Sequence, residues 1–155
     1  MPPTAPSLAP RRADAPLRVS RAIDIAASPE RVWALVGDFG ELGYLGALVA
    51  GSEIIRGRNN RVGAQRLIVL GDGGRIRETL TARRPQRRFL AYRMDDGPLP
   101  VIGYRATIRV APIAGGSRVA WSGRFRGAGD DAFAAGLVGG IYEAGLAALK
   151  AAAER

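Results

Sequence analysis

Apolar and polar residues alternate over short stretches of most of the chain, and this period of two is typical of β-strands. The first stretch is LRVSRAIDIAA, residues 17–27, with Val19, Ile23 and Ile25 on one side. From about residue 50, six more stretches alternate between turn-forming residues. They are SEIIRG, GAQRLIVL, RIRETLTA, RFLAYRM, GYRATIRVAPI and RVAWSGRFRG. The pattern predicts about seven strands.

A helical period appears directly after the first strand. In SPERVWALVGDFGEL, Ser28 is a good N-cap and Pro29 suits the first helical position. Val32, Leu35 and Val36 form the apolar stripe. The following residues, DFGELGYLGALVAG, predict a second short helical piece that its glycines loosen.

The last element is predicted to be a long helix that Asp130 or Asp131 caps. Its apolar stripe is expected to contain Phe133, Leu137, Ile141, Ala144 and Ala148. Four glycines, Gly136, Gly139, Gly140 and Gly145, interrupt it, and each costs about 0.8–1 kcal/mol relative to alanine. They either allow close packing on the sheet or leave room for a ligand, and the sequence leaves both open.

The order β-α-α-β-β-β-β-β-β-α predicts an α+β fold in which a strongly curved antiparallel sheet grips the C-terminal helix. Residues 18–155 are expected to form a single domain. Residues 1–17 are rich in proline and alanine and are expected to be a disordered tail. The apolar run 132–153 contains Glu143 and Lys150, so it predicts a poor membrane span.

Composition removes several kinds of chemistry. The 155 residues include no cysteine and no histidine, which excludes disulfides, thiol chemistry and a Ser-His-Asp triad. A zinc site would need carboxylates alone, so we expect neither a metal nor a cofactor. We expect a soluble cytoplasmic protein, and the sequence does not fix its oligomeric state.

The net charge of +9 raises the question of a nucleic-acid partner. All basic residues except Lys150 are arginines, which codon bias in a GC-rich genome would produce. Many of these arginines stand at alternate strand positions, so they are explained as residues of the solvent-exposed faces of strands. The densest run, residues 83–88, is interpreted as an exposed turn. No aromatic residue interleaves it as a base-stacking surface requires, so we do not expect nucleic-acid binding.

One strand carries a carboxylate on its apolar face. In RIRETL, Glu78 shares a side with Ile76 and Leu80. A three-residue turn, 71–73, with Gly73 left-handed would place Arg66 opposite Glu78, whereas a two-residue turn would place Leu67 there. We prefer the first register because an unpaired buried carboxylate costs several kcal/mol or becomes protonated, and a bidentate arginine is the usual remedy.

Several stretches resemble the START-like (SRPBCC) superfamily and, within it, the polyketide cyclase/dehydrase-type proteins. They are SPERVWALVGDFGEL, VGAQRLIVLGDGGRIRETL, GPLPVIGYRATIRV and RVAWSGRF. The resemblance covers about residues 19–150 and implies a helix-grip fold with an elongated cavity between the sheet and the last helix. Close relatives often carry a His- and Trp-containing stretch where this chain has GYLGAL, residues 43–48, so a histidine at the cavity mouth is excluded here.

The expected ligand-binding residues come from strand alternation, from the helix stripe and from the cavity that the resemblance implies. Each is by itself an ordinary core residue; the tyrosines matter most, because a phenol in an apolar pocket needs a partner. The set is Tyr44, Leu45, Arg66, Glu78, Tyr92, Met94, Tyr104, Trp121, Phe125, Phe133, Leu137 and Ile141.

Two functions follow from this reading. The first is binding of a hydrophobic or aromatic small molecule of lipid, polyketide or quinone type. The second is a polyketide aromatase/cyclase-like enzyme, in which Arg66 would stabilise an enolate, Tyr104 or Tyr92 would donate a proton and Glu78 would act as the base. A salt bridge to Arg66 is expected to lower the pKa of Glu78, which weakens it as a base. The pair is also explained by a purely structural role, as a satisfied ion pair that fixes the strand register, and this is the interpretation that we favour.

Overall fold

The computed structural model describes residues 15–155, and the order of its elements is the predicted one. A one-turn 3₁₀ helix, Pro85–Arg87, links the fourth and fifth strands. The other elements are β1 (Leu17–Ile25), α1 (Pro29–Val36), a 3₁₀ segment (Gly43–Leu48), β2 (Val49–Arg56), β3 (Gln65–Leu70), β4 (Arg75–Arg84), β5 (Phe89–Asp96), β6 (Val101–Ile113), β7 (Gly116–Gly127) and α2 (Asp131–Ala153).

The seven strands form one antiparallel sheet in the order β1-β7-β6-β5-β4-β3-β2. Register shifts interrupt the β2–β3, β4–β5 and β6–β7 pairs. Such bulges bend strands and increase their twist, which suits a sheet that curls around a helix. Helix α2 packs against β1 and β7, and the predicted helix-grip fold is confirmed.

The turn between β3 and β4 has the register that we preferred. Gly73 has a φ of 91° and its N–H donates to the carbonyl of Leu70 at 2.9 Å. Arg66 therefore stands opposite Glu78, and Ile68 opposite Ile76. Only glycine adopts this left-handed conformation without strain, so the turn sequence fixes which residue faces the carboxylate.

Side-chain caps begin both α-helices. The hydroxyl of Ser28 accepts from the N–H of Arg31 at 3.2 Å, and the carboxylate of Asp130 accepts from the N–H of Phe133 at 2.8 Å. Of the two predicted caps for α2, Asp130 is the one used. In α1, Val32 and Val36 are buried.

The buried face of α2 differs from the predicted stripe by one position. Phe133 is 66% exposed, and Leu137 and Ile141 are also exposed. The residues that pack into the core are Ala134, Val138, Gly139, Tyr142, Gly145, Leu146, Leu149 and Ala153. Among the described residues, α2 is the one helix long and apolar enough to cross a membrane by length and composition, but its buried face is that of a core helix.

Two further predictions concern the chain outside the core. The expected N-terminal tail falls mostly on residues 1–14, which lie outside the described residues, and Leu17 already begins β1. The basic run 83–88 is only partly a turn, because β4 continues through Arg84. Arg83 donates to the carbonyl of Gly37 at 2.8 Å, and Arg88 pairs with Glu30 at 2.9 Å.

Candidate functional site

A cavity of about 420 Å³ lies between the inner face of the sheet, the 3₁₀ segment and α2. Pockets for small molecules usually measure about 300–1,000 Å³ and are lined by apolar side chains with a few polar groups. This cavity fits that description, since its polar side chains come from a few positions only, which are Tyr44, Arg66, Glu78, Tyr92, Tyr104 and Trp121.

Ten of the twelve residues expected at a ligand site line this cavity. The strand register pairs Arg66 of β3 with Glu78 of β4, and Glu78 with Met94 of β5. These side chains therefore lie next to one another on the face of the sheet that lines the cavity. The ten are Tyr44, Leu45, Arg66, Glu78, Tyr92, Met94, Tyr104, Trp121, Leu137 and Ile141.

Phe125 and Phe133 lie outside the cavity lining, so their predicted place is corrected. Phe125 is 1% exposed and packs in the core, with its ring 5.8 Å from that of Tyr104. Phe133 lies one turn before the cavity-lining part of α2 and is exposed. Alternation and helical spacing identify a face, but they do not say where along the element the cavity begins and ends.

Sequence reasoning missed several apolar lining residues. Leu48 and Val49 enter from the end of the 3₁₀ segment, and Leu99 enters from the loop before β6. No periodicity marks them, because they lie where regular structure begins or stops. Ile76, which strand alternation placed on the face of Glu78, lines the cavity, as does Ile68, which stands opposite it.

Arg66 and Glu78 form a buried ion pair in the cavity wall. Nε and Nη2 of Arg66 donate to the same carboxylate oxygen, Oε1, at 3.2 and 3.0 Å. Nη1 donates to the carbonyl of Phe39 at 2.7 Å, and the guanidinium carbon lies 4.0 Å from the centroid of the Phe39 ring. The pairing was predicted, but it is not bidentate, and Oε2 of Glu78 makes no hydrogen bond to the described residues.

Burial raises the pKa of Glu78 above its ordinary value, and the nearby Arg66 only partly opposes this. Arg66 does lower this pKa, as expected, but the expectation that the pKa would fall below its ordinary value is wrong. The physical reason is desolvation, which penalises the charged carboxylate throughout the buried site, whereas the guanidinium contacts one of its two oxygens. Every fully buried side-chain nitrogen or oxygen of the described chain has a hydrogen-bond partner. Oε2 has none, so it is not fully buried. Because Glu78 lines the cavity, this oxygen is open to it.

Tyr44 places a second unused polar group in the cavity. Its hydroxyl makes no hydrogen bond to a described residue. Burial raises the pKa of Tyr44 to about 12; the charge of Arg66 lowers this pKa and the charge of Glu78 raises it. The phenol therefore stays protonated at neutral pH and can donate a hydrogen bond or accept one. Tyr44 and Glu78 together give the cavity one neutral donor and one carboxylate oxygen.

Aromatic residues from the sheet and α2 form a hydrogen-bonded and stacked cluster next to the cavity. Nε1 of Trp121 donates to the hydroxyl of Tyr92 at 3.0 Å, and the ring of Trp121 stacks on Tyr142 at 4.4 Å. The hydroxyls of Tyr104 and Tyr142 are hydrogen-bonded to each other. A Cβ at Gly123 would collide with the Tyr142 hydroxyl, so this glycine makes room for it. Sequence reasoning missed Tyr142 because the helix stripe was placed one residue away.

The glycines of α2 serve both of the purposes that the sequence left open. A Cβ at Gly139 would lie 2.5 Å from Nη2 of Arg21, and one at Gly145 would lie 2.7 Å from Cζ3 of Trp121. Gly136 and Gly140 line the cavity, and a Cβ at either would meet no atom within 4 Å. Two glycines thus allow close packing, and two leave space at the cavity.

A family model described as polyketide cyclase/dehydrase and lipid transport matches residues 16–154 of this chain. No curated protein matches it. Among solved structures, the protein XoxI from Bacillus cereus is 32% identical, with 88% of this chain and 94% of that chain covered and a TM-score of 0.80.

Two other solved structures extend the comparison. A protein from Nitrosospira multiformis is 27% identical over 88% of this chain and 96% of that one, with a TM-score of 0.79. A START superfamily protein from Mycobacterium smegmatis is 16% identical over 88% and 97% of the two chains, with a TM-score of 0.74. At that identity the last likeness concerns the fold alone.

Proposed function

Because the chain belongs to the polyketide cyclase/dehydrase and lipid-transport family, with a START-like fold, we propose that its cavity binds a hydrophobic or aromatic small molecule of lipid, polyketide or quinone type. The observation that carries the proposal is the cavity of about 420 Å³, which is lined mainly by apolar side chains and opens between α2 and the 3₁₀ segment. Burial of the ligand's apolar surface would supply most of the affinity.

The polar groups of the cavity would orient the ligand. Arg66 is held by its contacts with Glu78 and Phe39, which leaves Oε2 of Glu78 and the hydroxyl of Tyr44 as the unused partners. A ligand hydroxyl or carbonyl near these two groups would satisfy them. Leu45, Met94, Leu137 and Ile141 would contact the apolar body of the ligand.

A matched pair of variants on α2 tests the binding proposal. Ala144 lines the cavity, whereas Ala147 is exposed and lies outside the lining. The neutral fluorescent probe N-phenyl-1-naphthylamine should bind wild type, and Ala144→Phe should weaken binding by about tenfold or more because the new ring takes up cavity volume. Ala147→Phe should bind as wild type does. Equal affinities in all three proteins would overturn the proposal.

Mass spectrometry of a solvent extract from the purified protein gives an independent readout. Under the proposal, wild type carries a hydrophobic molecule that Ala144→Phe lacks. Identification of that molecule would also choose among lipid, polyketide and quinone ligands.

A second function, a polyketide aromatase/cyclase-like enzyme, is favoured by one observation. Glu78 combines a raised pKa with a carboxylate oxygen open to the cavity, and a general base works best when its pKa approaches the working pH. Glu78 would remove a proton next to a substrate carbonyl. Three of the five N–H groups of Arg66 are used in its contacts with Glu78 and Phe39, so one of the other two would stabilise the enolate oxygen, and Tyr104 or Tyr92 would donate a proton.

Proton exchange at the central carbon of an aromatic 1,3-diketone, followed by NMR in D₂O, tests the enzymatic reading. Catalysed exchange in wild type should fall by about 100-fold or more in Glu78→Gln, the usual contribution of a general base. Absence of catalysed exchange in wild type, or full exchange in Glu78→Gln, would leave binding as the function.

A further inference from the structure

The open end of the cavity exposes a group of large apolar side chains. Phe133, Leu137 and Ile141 are 66%, 37% and 38% exposed, and their spacing places them on one face of α2. Leu48, at the end of the 3₁₀ segment, is 44% exposed. Three of these four also line the cavity. We call these four residues the apolar rim.

Fewer large apolar side chains are exposed at the end of the sheet away from the cavity opening. Three other large apolar residues of the described chain are exposed. Ile102 lies near the start of β6, at the same end as the apolar rim, whereas Ile55 and Val62 lie at the end of β2 and in the loop after it. That loop leads into β3 at the end opposite the β3–β4 turn. Apolar exposure is therefore concentrated where the cavity opens, and a contiguous exposed apolar patch marks an interaction surface.

Three arginines stand side by side on the outer face of the sheet, near the same end. Arg18 of β1 is directly opposite Arg124 of β7, and Arg124 is directly opposite Arg105 of β6. All three are exposed. Neighbouring strands are about 4.8 Å apart, so three like charges lie within about 10 Å. We call them the arginine row.

No described carboxylate neutralises the arginine row. Other strand arginines do have acidic partners, as in the pairs Arg118–Asp24 and Arg77–Asp96. Like charges directly opposite each other on a sheet are destabilising, so an anionic partner would relieve this repulsion. Arg124 lies three residues before the end of β7, about 10 Å along the strand from the loop that leads into α2.

We infer that the open end of the cavity docks on the surface of an anionic phospholipid bilayer, with the apolar rim entering the headgroup region and the arginine row facing the lipid phosphates. Amphipathic surfaces bind bilayers through apolar area together with attraction to anionic lipids. The arginines would lie within about one Debye length of the membrane. Carboxylates also lie at this end. Asp95 pairs with Arg93, which stands directly opposite Arg105, and Asp96 pairs with Arg77. Asp72 and Asp130 accept hydrogen bonds from backbone N–H groups and, like Asp131, keep their negative charge, so the arginine row has to supply the attraction to the lipid phosphates.

A bilayer fits these observations better than a nucleic acid does. The arginine row has no exposed aromatic side chain beside it on which bases could stack, and nucleic-acid binding gives the apolar rim no role. Docking in this orientation would also place the cavity mouth against the lipid, so a hydrophobic molecule could pass between the two without crossing water. This inference goes beyond ligand binding in solution.

Cosedimentation with vesicles tests the arginine row. Full-length wild type should bind vesicles of equimolar phosphatidylcholine and phosphatidylglycerol, and binding to pure phosphatidylcholine should be weak. Replacing Arg18, Arg105 and Arg124 by glutamine should weaken binding by roughly 100-fold, about fivefold for each arginine. The matched control replaces Arg58, Arg61 and Arg87, which are also exposed and lie in connections at the opposite end.

A second pair of variants tests the apolar rim. Phe133 and Val62 are both 66% exposed and lie at opposite ends of the sheet. Phe133→Ser should weaken vesicle binding by about tenfold or more, and Val62→Ser should leave it unchanged. Neither residue lines the cavity, so probe binding in the absence of vesicles should be the same in both variants.

Three outcomes would overturn the docking inference. In the first, wild type does not bind anionic vesicles. In the second, the triple variant of the arginine row and the control triple variant lose vesicle binding equally. In the third, wild type binds a single-stranded oligonucleotide more tightly than it binds vesicles, and the triple variant of the arginine row does not bind the oligonucleotide. Because the probe assay uses no vesicles, failure of docking with intact probe binding leaves the proposed ligand site standing. Thermal melts establish that every variant is folded.

Discussion

The guanidinium of Arg66 is a fixed part of the cavity wall. Three hydrogen bonds hold it, two to Oε1 of Glu78 and one to the carbonyl of Phe39, and the rings of Phe39 and Tyr92 lie 4.0 and 5.1 Å from its carbon. A side chain so restrained loses little entropy when a ligand binds beside it. It also shields one oxygen of the carboxylate and leaves the other available.

Removing the arginine alone should be costly. Arg66→Met leaves Glu78 buried without its cation, and breaking a buried ion pair in this way costs about 3–5 kcal/mol of unfolding free energy. Urea unfolding measures the loss. The double variant Arg66→Met/Glu78→Leu should recover most of it, because both charges are then absent. A double variant no more stable than Arg66→Met would contradict this account of the pair.

The raised pKa of Glu78 predicts a specific dependence of stability on pH. Because the folded-state pKa lies above the unfolded-state value, the native state binds the extra proton. The stability that this group contributes is fully present below the unfolded-state pKa, near 4.5, and is lost as the pH rises through the folded-state pKa.

Glu78→Gln removes this titration. The difference in unfolding free energy between wild type and Glu78→Gln should therefore shift against wild type as the pH is raised from about 4.5 toward neutrality. Urea unfolding at a series of pH values measures the slope of this difference. A constant difference, or one that shifts in favour of wild type, would mean that burial does not raise the pKa.

At the scale of elements, α2 carries two kinds of glycine. Gly140→Ala should stabilise the protein by up to about 1 kcal/mol, because alanine is the better helix former and its Cβ meets no atom within 4 Å. Gly145→Ala should be destabilising, since its Cβ would lie 2.7 Å from the Trp121 ring, which is itself stacked on Tyr142. Melting temperatures measure both, and equal shifts of the same sign would show that packing does not distinguish the two positions.

The strands could be predicted from the sequence more fully than α2 could. In β3 and β4 alternation and the turn around Gly73 fix both the face and the register, so Arg66 and Glu78 could be paired in advance. In α2 the residues at the cavity are as apolar as those in the core. Leu137 and Ile141 therefore resembled a core stripe, although Val138 and Tyr142 occupy the core. Periodicity reports that a face is apolar and does not report what covers it.

The whole molecule contains an apolar cavity where a solid core could have been, and such space forgoes packing contacts. A bound ligand would restore them and would raise stability in proportion to the logarithm of its concentration. Protein stripped of its hydrophobic ligand by reversed-phase extraction and refolding should melt at a lower temperature than the protein as purified. Adding the extracted molecule back at about 100 times its dissociation constant should restore about 2.7 kcal/mol. Identical melting curves would mean that no stabilising ligand was removed.

The sequence by itself determined the local features: seven alternating strands, a capped final helix, a buried carboxylate with a facing arginine, and the absence of histidine and cysteine. These depend on backbone geometry and on residue type, which are properties of short segments. Only the tertiary structure decided the size of the cavity, the one-position shift of the buried face of α2 and the pKa of Glu78. Each of these depends on atoms brought together from distant parts of the chain, since desolvation and packing sum over all neighbours.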